Sequence, residues 1–373
     1  MSKHLIFFLL SLYYTTGIFA QNSDAKVKLT VQPDTVYYEK DTHSNYLNFD
    51  FLIENNSDKN LVLNTVEIFI FDENNKLEKR DFVNLYSRAS LELKDDKPIL
   101  PKQVKMIYNP FTVFENLISL KKLHYEFSFC TEDTKEHYII PIDIFPQLYK
   151  TKTNLILPVK GRVLVWDGHE YNSHHRRFDY TDSLFIKRGT KMNFQRYAYD
   201  FVIVDENGTM YKGKPKINLE WYDDIPDNNN DYFGFGVPIY ATGNGTISDV
   251  RDSVDDNRMV AESEILKNEK AYGGNYIIID HGNGEFSWFG HLKKGSIKVK
   301  KGQMIKQGEV IASMGASGNS LFPHLHYELR NGNGAKKVEG LPSYFTNYIR
   351  VLGSKKIPEK NGLINSGEIL EVK

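Results

Sequence analysis

Short runs of alternating apolar residues, each closed by turn-forming residues, recur along nearly the whole of this chain and restrict it to a mainly β architecture. Tyr46-Leu47-Asn48-Phe49-Asp50-Phe51-Leu52-Ile53 runs into Glu54-Asn55-Asn56-Ser57-Asp58. Val66-Glu67-Ile68-Phe69-Ile70-Phe71 meets Asp72-Glu73-Asn74-Asn75, and His124-Tyr125-Glu126-Phe127-Ser128-Phe129-Cys130 repeats the pattern. Side chains alternate faces along a strand, so a period of two gives one buried and one wet face. The 23 Tyr and 23 Phe supply the aromatic surface that pleated sheets favour.

The pattern divides the chain. From about residue 25 to 150, short strands between polar turns predict an antiparallel sandwich of immunoglobulin-like type. Its histidines (His43, His124 and His137) are scattered and carry no site chemistry, so its expected work is spacing, partner contact or inhibition of the second half of the chain. A junction runs from Pro146-Gln147-Leu148-Tyr149 to Leu157-Pro158. Beyond it glycine becomes frequent and seven of the eleven histidines gather: His169, His174, His175, His281, His291, His324 and His326. A Gly-rich antiparallel β domain is expected over 158–345, and 346–373 reads as a C-terminal tail with little pattern.

The termini and composition bound the setting. Lys3-His4, an apolar run from Leu5 to Phe19 and then Ala20-Gln21 read as a secretory signal peptide over 1–20, cleaved after Ala20. Export to the periplasm, cell envelope or medium is expected, with no transmembrane span once the signal is removed. A net charge of -1 gives no electrostatic case for nucleic acid. Cys130 is the only cysteine, so an internal disulfide and a multi-thiolate metal site are excluded, and any metal must rely on histidine and carboxylate.

Pro323-His324-Leu325-His326-Tyr327-Glu328-Leu329 carries the chemistry. On a strand His324 and His326 point the same way, roughly 7 Å apart. One imidazole can bind a metal while the other handles a proton or a developing charge. Asp200 opens an apolar run, where a carboxylate is costly unless paired or metal-bound. His291 follows Trp288-Phe289-Gly290 at a strand end, and His281 lies in the turn Asp280-His281-Gly282-Asn283-Gly284 and reads as structural. Gly315-Ala316-Ser317-Gly318-Asn319-Ser320 lacks the lysine and helix of a phosphate loop and reads as the turn that delivers the two-histidine strand.

Taken in order, Tyr197-Ala198-Tyr199-Asp200-Phe201, Gly236-Val237-Pro238-Ile239-Tyr240-Ala241, Asp280 to Gly284, Phe289-Gly290-His291-Leu292, Val299 to Gly308 and Gly315 to Leu329 resemble peptidase family M23, the LytM or lysostaphin-type zinc metallopeptidases. The resemblance covers about Pro158 to Arg330. It implies a duplicated hybrid motif fold, with His326 and Asp200 as zinc ligands. His291 and His324 would be the catalytic pair that orients or deprotonates the metal-bound water and stabilises the oxyanion. It implies a secreted zinc metalloendopeptidase that hydrolyses peptidoglycan cross-links or stem peptides. The alternative is a non-catalytic LytM-like module that binds or activates another cell-wall hydrolase, and the N-terminal sandwich could engage a protein partner.

One position departs from the pattern. Family members carry a histidine ligand four residues before the aspartate, and here that residue is Arg196, which cannot ligate a metal. Asn172-Ser173-His174-His175-Arg176-Arg177 offers His174 and His175 as equal replacements, with His169 behind them. The four-residue spacing of His175 and Asp179 makes Asp179 a rival to Asp200, which is preferred because the apolar strand follows it directly. Were the histidine pair on the surface, Arg176 and Arg177 would instead serve anionic glycan or stem-peptide carboxylates.

Overall fold

A computed structural model describes residues 26–85, 97–213 and 226–373. The expected signal peptide lies outside the described residues. Strands dominate, as the alternation requires, and the α-helices among the described residues are short, such as Ser183–Arg188 and Glu262–Lys267. No helix among the described residues is long and apolar enough to cross a membrane.

The N-terminal strands form three sheets. A three-stranded sheet (Val27–Gln32, Asp50–Asn55, Val104–Tyr108) and a four-stranded one (His137–Ile144, Lys122–Thr131, Leu61–Phe71, Leu77–Asn84) share one apolar core. Phe51, Ile53, Ile68, Ile70, Tyr125 and Phe127 fill it. These are the alternate residues of their strands, so one face of each sheet is buried. Fully burying a side chain of this size is worth about 1.5–3 kcal/mol. A further four-stranded sheet, built from Gln147–Leu148, Tyr37–Lys40, Ser44–Leu47 and Val113–Glu115, is an addition that the strand spacing did not suggest. Cys130 is a buried free thiol.

Among the described residues, the remaining strands form a separate pair, Pro238–Tyr240 with Val310–Ser313, and a twelve-stranded sheet. At its centre lie, side by side, Gly161–Asp167, Tyr199–Ile203, Leu325–Arg330, Phe286–Gly290 and Tyr276–Asp280. Leu325, Tyr327 and Leu329 join Tyr199, Phe201 and Phe289 in the main core. The intervening residues of the 325–330 strand face the other way, yet every position of this strand is buried. A polar row is therefore held out of water, which costs free energy unless each group finds a partner.

Residues 346–373 are not a patternless tail. Phe345–Leu352, Lys355–Gly362 and Ile369–Val372 pair with one another or with Gly161–Asp167 as part of the large sheet. The hairpin strand Lys355–Gly362 is exposed and charged, so it shows little of the apolar alternation by which strands are read from sequence.

Candidate functional site

Register builds the site. Asp200 is opposite His326 on one side, and Gly290 is opposite His326 on the other, which leaves His291 just beyond the strand end. His291 has φ 57°, a left-handed conformation that is uncommon for a residue with a β-carbon. Its amide donates to Gly273 O at 2.7 Å and its carbonyl accepts from Gly315 N at 3.0 Å. Two glycines make this packing possible. Gly274 and Gly318 both have positive φ, and a β-carbon on Gly318 would lie 2.4 Å from Gly274 N and 2.5 Å from Tyr272 O.

His175, Asp200 and His326 form a buried group whose ligand atoms lie within 4.8 Å of one another. Asp200 Oδ1 is 3.0 Å from His326 Nδ1 and 3.4 Å from His175 Nε2. The backbone sets the tautomers. His175 Nδ1 is 2.8 Å from Gly168 O, and a carbonyl only accepts, so Nδ1 carries the hydrogen and Nε2 keeps its lone pair. That Nε2 is buried and has no hydrogen bond of acceptable geometry. The same logic holds for His324, with Nδ1 2.8 Å from Phe322 O, and for His291, with Nδ1 2.8 Å from Ser317 O. The Nε2 of His324 lies 3.4 Å from Asp200 Oδ1, and the two rings of His291 and His324 are 4.7 Å apart. His326 is oriented the other way round: Nε2 meets Glu328 Oε1 at 2.5 Å and Nδ1 faces Asp200. Glu328 is paired in turn with Arg330.

Electrostatics follow from burial and these contacts. Burial would raise the Asp200 carboxyl, but the electrostatic influence of the surrounding imidazoles, His324 and His175 first, outweighs it and holds it well below the usual range. Burial pushes His175 down against the pull of Asp200. Burial, with His324 and His326 nearby, pushes His291 down well below an ordinary imidazole. Burial also opposes the charged form of His326, yet the bonds to Asp200 and Glu328 raise it to about 9.

The donor set fits a divalent metal. An orphaned buried Nε2, a carboxylate oxygen and a third imidazole nitrogen converge, and each histidine has its other nitrogen on a carbonyl or carboxylate, the usual support of a ligating imidazole. Three protein ligands with nitrogen and oxygen donors are the pattern of a zinc site that keeps one position open. His291, His324, His326, Asp200 and His174 line a cleft of about 580 Å³ whose other walls include Trp166, Phe178, Phe185, Phe194, Tyr272 and Phe322.

The structure separates the residues that sequence left equal. His175 is fully buried within the trio, whereas His174 is 63% exposed, pairs with Asp167 at 2.7 Å and stays 3.7 Å from Asp200 Oδ2. His169 turns away to Glu39 at 2.9 Å. Asp179 is exposed and closes a turn with Thr181, so it is no rival to Asp200. His281 bonds Asn244 O and Ser287 Oγ, a structural role. Arg196 is buried between Asp50 and Glu339, and Arg176 is buried on Asp50, so neither is a surface cation. Glu328 and Arg330 were not singled out, although His324, His326, Glu328 and Arg330 share one strand face at a period of two.

The β scaffold thus carries a buried histidine–aspartate cluster with the donor set of a divalent-metal site. Residues 231–338 match the model of peptidase family M23. The match takes in His291, His324 and His326 and begins after Asp200. Among similar curated proteins are the peptidoglycan DD-endopeptidase ShyB of Vibrio cholerae, 36% identical over 106 residues (28% of this chain, 20% of the relative), and the DD-carboxypeptidase/endopeptidase Mpg of Neisseria meningitidis, 32% identical over 104 residues (28% and 20%). The chain thus spans about a fifth of the length of the curated relatives it matches. A solved zinc-containing peptidase from Vibrio cholerae overlaps 81% of each chain at 15% identity with a TM-score of 0.26.

Proposed function

We propose that this protein is an exported zinc metalloendopeptidase that hydrolyses peptide bonds in peptidoglycan cross-links or stem peptides. The observation that carries this reading is the convergence of His175 Nε2, Asp200 Oδ1 and His326 Nδ1 beside the Nε2 atoms of His291 and His324. The M23 match and the similarity to the peptidoglycan DD-endopeptidase of Vibrio cholerae support the substrate class.

In this reading His175, Asp200 and His326 hold the metal. When bound, zinc acts as a Lewis acid and lowers the pKa of its water to about 7. The protein's own groups do the rest. Glu328 fixes the ring of His326 and keeps Nδ1 turned to the metal position. His324, with Nδ1–H anchored on Phe322 O, presents a lone pair at Nε2 that can accept a proton from the attacking water. His291, uncharged through burial and with Nδ1–H held on Ser317 O, presents a lone pair at Nε2 that can accept a hydrogen bond and so orient the attacking water. The aromatic walls of the cleft exclude water and can hold the apolar parts of a peptide.

The test is metal analysis of the purified full chain together with release of soluble fragments from peptidoglycan. About one zinc per chain is expected, with release abolished by a chelator and restored by Zn2+. Protein that takes up no zinc, or zinc-loaded protein that releases nothing, would overturn the reading.

A further inference from the structure

The residue that fills the third ligand position sits on an irregular loop, yet the group must be held to a few tenths of an ångström to ligate well. Gly168 O holds the His175 ring and Asn193 Nδ2 donates to His175 O at 3.0 Å, but the residues on either side of His175 are held from the N-terminal sheets. Asp50, fully buried on the N-terminal strand Asp50–Asn55, pairs with Arg176, the residue next to His175. Its other oxygen takes Arg196 Nη1 at 2.7 Å and Tyr180 OH at 3.3 Å. Phe49 O accepts from Arg176 Nη2 at 2.5 Å, and Tyr108 OH donates to Arg177 O at 2.7 Å. Asn48 Nδ2 donates to Arg196 O at 2.8 Å, and Glu39 meets His169 at 2.9 Å. The loop therefore lies clamped, from His169 to Tyr180, against residues 39–50 and 108.

We infer that the N-terminal sheets are a positioning element for the metal site, with Asp50 as the positioning residue that sets His175 through Arg176. The arrangement also accounts for Arg196. Where the family pattern has a ligating histidine, this chain has a cation that shares Asp50 with Arg176, so the ligand has moved into the loop and the vacated position helps to anchor it. Both arginines are buried, and a buried guanidinium needs its carboxylate. Asp50 consequently ties together the loop bearing His175 and the segment leading into Asp200.

The inference rests on the metal site proposed above, and the experiment distinguishes the two. Zn2+ affinity of the full chain is measured by competition with a chromophoric chelator, and Co2+ loading by its visible absorption. Three variants are compared with wild type: Asp50→Asn, Tyr108→Phe, which removes only the hydroxyl on Arg177 O, and His124→Ala, which breaks a pair with Asp143 in the same N-terminal sheets far from the loop. Asp50→Asn is expected to weaken Zn2+ binding about 10–100-fold and to alter the Co2+ spectrum, as loss of an outer support does. Tyr108→Phe should weaken it by a smaller factor, and it carries the test if Asp50→Asn does not fold. His124→Ala should leave affinity unchanged whatever it does to the unfolding temperature, a result that separates positioning from general stability. Wild type that binds Zn2+, with Asp50→Asn and Tyr108→Phe binding equally tightly, overturns this inference alone. Wild type that binds no metal removes the proposed site and this inference with it.

Discussion

Asp200 and His326 are direct cross-strand partners, and Oδ1 of one lies 3.0 Å from Nδ1 of the other. In the metal-free protein this contact can only be a hydrogen bond from a protonated Nδ1, because Nε2 is already committed to Glu328. The same two atoms are those that would hold a metal, so proton and metal compete for one place.

The competition has a sign. Although burial disfavours the charged form, Asp200 and Glu328 raise His326 to about 9, so a metal must displace a proton at neutral pH. Zn2+ affinity should therefore rise between pH 7 and 9, by roughly tenfold per unit for one displaced proton. Metal-free stability should run the other way. The contribution of the imidazolium is complete below the ordinary value near 6.5 and is lost as pH climbs through about 9. Chelator competition and chemical denaturation across this range check both slopes, and an affinity independent of pH would contradict the first.

Substitution of the two adjacent histidines should give opposite results. His175→Ala removes the buried Nε2 and should abolish stoichiometric zinc, whereas His174→Ala, at an exposed rim position, should retain it. Metal content of the two purified variants decides between them.

His291→Ala and His324→Ala should keep zinc yet lose about 10²–10⁴-fold in turnover, the usual share of a positioned acid or base. Zinc content and peptidoglycan release measured on the same preparations distinguish this from loss of metal.

Glu328→Gln keeps the shape but takes away the charge that orients His326 and neutralises Arg330. A drop of about 10–100-fold in zinc affinity is expected. An unchanged dissociation constant would show that the ring is held by other contacts.

Gly318→Ala puts a β-carbon against Gly274 N and Tyr272 O at a residue with φ 76°. Left-handed backbone alone costs alanine about 1–2 kcal/mol, and the clash adds to it. A lower unfolding temperature and weaker catalysis are expected together, since the displaced turn carries the Ser317 carbonyl that holds His291.

Much of this was legible in the linear chain because strand chemistry is local. Alternation in Val66 to Phe71 or His124 to Cys130 is a property of neighbouring residues, and so is the shared face of His324 and His326. Tyr46 to Ile53, which reads as one strand, instead breaks at Asn48-Phe49 into Ser44–Leu47 and Asp50–Asn55 of two different sheets. The polar continuation of that face through Glu328 and Arg330 was equally visible in the period. The hairpin at Lys355–Gly362 was not, since its exposed, charged residues carry no buried stripe. Asp50-Phe51-Leu52-Ile53 repeats the pattern of Asp200-Phe201-Val202-Ile203, a carboxylate opening an apolar strand, but nothing local says that one faces two arginines and the other two imidazoles.

The sequence by itself determined a mainly β chain, excluded a multi-thiolate metal site, carried the M23 resemblance and singled out Asp200, His291, His324 and His326. Only the tertiary structure buried His175 beside Asp200 and His326, left His174 exposed on Asp167 and gave Arg196 its place. The reason is physical: His175 lies on an irregular loop, whose path has no period to read, and that loop is tied through Arg176 to a buried carboxylate more than a hundred residues away on another sheet.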